Sequence, residues 1–236
     1  MTCFSVSPLR RCLALTLLVA MAVLGSGCGN GASKPDLPVQ KAVVLPVSTL
    51  HKELRRDVGI VQSQLVEALD DAGYDSLVIS VDEFARLQAN AFDVSGSIYN
   101  PTVGEFVALD DAKYRASLLQ QLRARGAFDV MIMPELTLRA ARIKGNVISW
   151  DGVNRDLEVR GNSKYLTPRE ARGLSLLVSL YGNSGNMVGR GIGGIAVPFY
   201  LDVHTEVAKF QLRDAFYDPG EVSEGVGIAV NTFRRR

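Results

Sequence analysis

Between residues 42 and 81 the hydrophobic period changes twice, and that change limits the fold more than any other feature of the chain. AVVLPVSTL (42–50) is a short β-branched run that reads as a strand, with Pro46 favouring a strand end or an interrupted ladder. Val58, Val61, Leu65, Ala68 or Leu69, and Ala72 then recur at helical spacing until Gly73 stops the helix. DSLVISV (75–81) returns to strand character. Strand, helix, strand in that order is the unit that makes a parallel pair with a right-handed crossover.

The pattern continues on both sides of a gap. Ser80 with Glu83 has the spacing of a capping box for a short helix in DEFARLQA. Residues 90–105 show no sustained period and contain Gly96, Pro101 and Gly104. They read as a long loop or a short unresolved element and, because long loops in compact domains are often functional, as a site candidate on anatomy alone. From Ala108 to Arg125 a helix is predicted with Ala112, Ala116, Leu119 and Leu122 on one face, ended by Gly126, and AFDVMIMPEL begins a buried strand.

Beyond residue 127 apolar stretches at 127–143, 147–160, 174–181 and 195–203 are separated by turn-forming sequences, which permits antiparallel pairing. Asp151-Gly152 reads as a tight type I′ turn or a bulge. Thr167-Pro168-Arg169-Glu170 predicts a brief helix, and Asp218-Pro219-Gly220-Glu221 a final one running to about Asn231. The expected fold is therefore α/β: a mixed sheet with a parallel βαβ core extended by antiparallel strands, with helices packed on the sheet.

The amino terminus carries an address. Residues 1–11 hold two arginines and no acid, and Leu13–Leu24 is an unbroken apolar or small run, too short for the roughly 20 residues of a membrane-spanning helix. VLGSGCGN follows and resembles the lipobox of bacterial lipoproteins, with Leu24 one place earlier than the usual position. The resemblance implies a signal peptide over 1–27, acylation of Cys28 by diacylglycerol and palmitate-type chains, and anchoring to membrane lipid. An ordinary signal peptide that leaves Cys28 as a free thiol is the alternative. Two or more acyl chains anchor stably where one does not. Gly29 stands where the family's inner-membrane retention signal has Asp, which points to the outer membrane. Residues 28–40 then read as lipidated cysteine and flexible tether, and 41–236 as a single periplasm-facing domain.

VVLPV, the helix ending DDAGYDSLVIS, and RARGAFDVMIMPEL, taken in that order, resemble the α/β domain of the envelope lipoproteins that include the TolB amino-terminal domain, LpoB and CsgG. That resemblance covers roughly residues 41–232 and implies scaffolding or regulation of envelope machinery, without catalysis.

Few residues point to chemistry. With 26 Lys and Arg against 25 Asp and Glu there is no electrostatic case for nucleic acid, and three cysteines with two histidines argue against a protein-ligated metal or haem. No GxSxG, HExxH, CxxC or Walker motif is present. The glycines of GRGIGGIA (189–196) suggest a phosphate cradle or, on the blander view, a turn or bulge in a strand pair. His51 and His204 read as polar residues at strand ends, so no catalytic, cofactor or metal site is expected. Trp150, Asp151 and Arg155 are the local feature that stands out, the sole tryptophan being either a core anchor or half of a patch covered by a partner. Arg234–Arg236 read as a solvated terminus or as attraction to anionic lipid.

The function expected is a non-enzymatic, outer-membrane-anchored lipoprotein that docks on or helps assemble envelope machinery, through a protein partner or as a homo-oligomer. The alternatives are a subunit of an oligomeric outer-membrane pore or secretion channel and a cell-envelope hydrolase. Leu174, Leu176, Val178 and Leu180 alternate as a barrel strand does, but over a run shorter than the 9 to 11 residues such strands need.

Overall fold

A computed structural model of the chain describes residues 40–56, 58–95, 99–100, 105–106, 111–161, 170–203 and 208–233. Strand β1 (Gln40–Val44) stops ahead of Pro46, and a two-residue strand β2 (Ser48–Thr49) resumes after it, the interruption expected where a residue has no N–H to give the ladder. Helix α1 (Val58–Asp71) buries Val61, Leu65 and Leu69, and Gly73 leaves it at φ 90°, a backbone angle that suits glycine. Strand β3 (Tyr74–Val78) then pairs parallel with β1, Val43 opposite Leu77.

Ser80 caps the next helix, its Oγ accepting from the Glu83 N–H at 3.3 Å. That helix, α2 (Val81–Ser95), is longer than the short one read from DEFARLQA, so half of the supposed loop at 90–105 is helix or strand. The two-residue strands β4 (Tyr99–Asn100) and β5 (Glu105–Phe106) pair antiparallel, and the remainder of that stretch lies outside the described residues. Helix α3 (Asp111–Arg123) buries Tyr114, Leu118, Leu119 and Leu122 and exposes Ala112 and Ala116, a rotation from the predicted face. Burying a Tyr and a Leu removes far more apolar surface from water than burying two alanines.

Strand β6 (Val130–Lys144) is the axis of the fold. It pairs parallel with β1 and β2, and antiparallel with β7 (Val147–Trp150), which turns back as β8 (Val153–Asp156), and with β10 (Ala171–Gly182). Strand β11 (Met187–Ala196) pairs antiparallel with β10, giving the order β11-β10-β6-β1-β3. A second sheet is built from β9 (Val159–Gly161), β12 (Phe199–Val203) and β13 (Lys209–Leu212), the last of which has no counterpart in the sequence reading. The helix predicted to start at Thr167 lies outside the described residues, and β10 begins at Ala171. Helix α4 (Pro219–Asn231) starts as read: Asp218 accepts from the N–H groups of Gly220 and Glu221, with Pro219 at the first position.

Both sheet faces are covered. Ala42, Val44, Ile132, Leu174, Leu176, Val178 and Leu180 meet α1 and α4, while their alternating neighbours Val43, Leu45 and Met131 meet α2 and α3. The leucine row of β10 is thus buried under helices within the domain. A third cluster gathers Ile148, Trp150, Val153 and Leu157 with Val197, which follows β11, and with Leu201 and Val203 of the second sheet. The whole is a mixed α/β fold with a parallel core, an antiparallel extension and helices on both sides. No described helix is long and apolar enough to cross a membrane.

Candidate functional site

Trp150, Asp151 and Arg155 lie on the β7–β8 hairpin, and the structure brings them together with α4. Asp151 at φ 36° and Gly152 at φ 86° form the left-handed pair that a type I′ turn needs. The turn is fixed to β11 through its backbone, since the Asp151 carbonyl accepts from the Gly194 N–H at 3.1 Å. Trp150 is only 6% exposed, its ring lying over Gly173 where any side chain would collide with it. Its indole N–H donates to Ser175 Oγ (3.1 Å) and the Leu174 carbonyl (3.3 Å), so the one polar atom of the ring is satisfied in the core.

Ser175 Oγ passes the network on, donating to the Asp151 carboxylate at 2.7 Å, and Arg139 approaches the same oxygen at 3.4 Å. The Arg155 guanidinium is 9% exposed and bridges two acids of α4, with Nε 3.3 Å from Glu221 and Nη1 2.9 Å from Glu224. Burial holds the Glu221 carboxyl above the ordinary carboxylate range, and Arg155 opposes that rise. Together the three residues tie the hairpin, β10 and α4 to one another.

The glycines of β11 lie in a strand pair with bulges, as the blander reading had it, and they perform a further task that the sequence did not suggest. GRGIGGIA is a strand with register shifts against β10, and its glycines let α4 approach backbone to backbone. A Cβ at Gly191 would strike the Ala229 carbonyl, one at Gly193 the Gly225 carbonyl, and one at Gly225 the Gly194 carbonyl. Glycine is needed at both surfaces, which also accounts for Gly225 inside a helix. A phosphate cradle would require these N–H groups in a loop facing solvent; here they belong to a paired strand beneath a helix.

The two lateral edges of the main sheet both carry exposed apolar side chains. At one, β3 pairs, among the described residues, with β1 alone and exposes Leu77 (54%) and Val78, with Val81 close by at the start of α2. At the other, β11 pairs, among the described residues, with β10 as its one partner strand, and its first half exposes Met187 (51%) and Val188 (62%). Each edge is a strand with no second partner strand among the described residues and with exposed apolar side chains, the combination that recruits another chain; on β11 the Arg190 carbonyl and the Gly194 N–H are already taken by Thr232 Oγ1 and the Asp151 carbonyl, so its first half is the open part. The strand directions are compatible: β6 runs parallel to β1 and β3, β10 opposes it and β11 opposes β10, so both edge strands point the same way. These edges escape sequence reading, because nothing local in YDSLV or MVGRG says that they end a sheet.

His51 opens a 3-10 turn at 52–54 and lies on the surface with Nδ1 3.5 Å from Glu53. His204 and Cys28 lie outside the described residues. Among the described residues no group of three or more His, Cys, Asp and Glu side chains could hold a metal ion.

No family model and no curated protein matches the sequence. Among solved structures the chain is similar to the PelC dodecamer from Paraburkholderia phytofirmans, at a TM-score of 0.39 and 7% identity, over 84% of this chain and 89% of that one.

Proposed function

We propose that the chain is a subunit of a homo-oligomeric assembly of the bacterial cell envelope, held to the outer membrane by an acylated Cys28 and joined to its neighbours through opposite edges of the main sheet. The observation that carries this reading is the pair of open, apolar, like-directed edge strands at the two ends of one sheet. An interface that joins two different surfaces of the same subunit is heterologous, and it closes into a ring when the rotation between neighbours divides the circle. A ring of this kind is what a pore or secretion channel needs, and the lipid would hold each subunit at the membrane surface without a spanning helix. The resemblance in element order to the TolB, LpoB and CsgG group fits a non-catalytic role of this kind.

Sedimentation and native mass measurement of the purified protein test the reading. The wild type is expected as a multiple of the subunit mass. Leu77→Asp should dissociate it while changing the unfolding free energy of the subunit itself by no more than about 0.5 kcal/mol, since the side chain is exposed within one subunit. A protein that stays monomeric at all concentrations overturns the assembly.

The anchor has its own test. Cys28→Ser should abolish fatty-acid labelling and leave unprocessed precursor, whereas labelling that persists in that variant contradicts acylation at this residue.

A further inference from the structure

Beyond the carboxyl end of β1 a crevice opens that none of the roles above uses. The chain leaves β1 for β3 on one side and returns to β6 on the other, so β1 sits where the strand order reverses. Crevices outside the carboxyl ends of strands at such a reversal are the places where open α/β sheets bind ligands. This one has a volume of about 260 Å³, and Leu45, Met133, Phe84, Phe92, Gln88 and Tyr114 are among the residues that line it. Among the described residues, no Lys, Arg, Asp or Glu lines it.

Two polar groups converge inside it. Gln88 Nε2 donates to the Tyr114 hydroxyl at 3.0 Å, and the phenol ring is stacked on Phe92 with centroids 5.0 Å apart. An oxygen that accepts from an amide keeps its own hydrogen to donate, and burial holds the Tyr114 phenol above its ordinary range, hence neutral. The third polar group, Ser48 Oγ, is already engaged with the Pro134 carbonyl at 3.2 Å.

We propose that this crevice binds a small, uncharged, ring-containing molecule whose hydrogen-bond acceptor is met by the Tyr114 hydroxyl. The volume lies just below the usual range for drug-sized ligands and suits a single ring with a short substituent. Aromatic and thioether walls favour a flat apolar body, and a lining without charged side chains leaves an ionised ligand uncompensated.

Acetophenone, isopropylbenzene of similar size without the acceptor, and benzoate are the probes, read by the methyl resonance of Met133 in protein labelled at its methionine methyls and assigned with Met133→Leu. Acetophenone should shift that resonance with a dissociation constant on the order of 1 mM. Tyr114→Phe should weaken acetophenone by about three- to tenfold and leave isopropylbenzene within about twofold. An unchanged free-protein Met133 resonance and urea midpoint in Tyr114→Phe keep loss of binding separate from loss of fold. The proposal is overturned if Met133 does not respond to acetophenone, if benzoate binds as well as acetophenone, or if Tyr114→Phe binds acetophenone as the wild type does.

Discussion

Gly193→Ala is expected to destabilise the protein by roughly 3 kcal/mol or more, the upper range for overpacking. The added methyl would meet the carbonyl oxygen of Gly225, a backbone atom that cannot rotate away as a side chain does. Relief requires α4 to lift from β11, and that movement opens the cluster in which Val222, Val226 and Ala229 meet Leu174, Leu176 and Ile195. Gly227 supplies the control within the same helix, because nothing lies within 4 Å of a Cβ placed there. Gly227→Ala should raise stability by about 0.5–1 kcal/mol through helix propensity and a less flexible unfolded chain. Urea midpoints of the two variants should therefore move in opposite directions, and a Gly193→Ala protein as stable as the wild type would contradict the close seating of α4.

Trp150→Ala is expected to cost about 3–5 kcal/mol, the usual range for emptying an aromatic site in a core. The loss has two parts. The ring's apolar contacts with the cluster around Ile148, Val153 and Leu201 vanish, and Ser175 Oγ and the Leu174 carbonyl lose the indole N–H that reaches them. The substitution therefore lowers both the unfolding midpoint and the abundance of the protein in cells. A variant with wild-type stability that fails only to capture a partner would show instead that Trp150 serves an interface.

Local signals in this chain were legible wherever one segment determined its own structure. Asp218-Pro219-Gly220-Glu221 specified the start of α4, Ser80 with Glu83 the start of α2, and Asp151-Gly152 the turn between β7 and β8, since caps and turns are satisfied by neighbours in sequence. At β11 a bulge in a strand pair was legible, but the full strand and the reason for its glycines were not, because glycine depresses strand propensity and the reason is a helix about thirty residues farther along. The face of α3 was misjudged for a related cause: Ala112 and Ala116 fit the helical period, but the sheet surface selects the larger Tyr114 and Leu118. The candidate site shows the same division. Trp150, Asp151 and Arg155 attract notice as residue types, whereas the sheet edges and the crevice beyond β1 arise from strand order, which no single segment encodes.

The head-to-tail contact is tested most directly by cysteines placed on the two edges, Leu77→Cys and Met187→Cys, crosslinked in cells with a flexible bis-maleimide. Both side chains are exposed in the subunit, so the substitutions leave its core intact. Joining unlike edges predicts that the double variant gives a ladder of covalent multimers ending at the size of the ring, while each single variant remains monomeric. A double variant that stays monomeric, or single variants that crosslink to dimers by pairing like edges, would contradict the assembly.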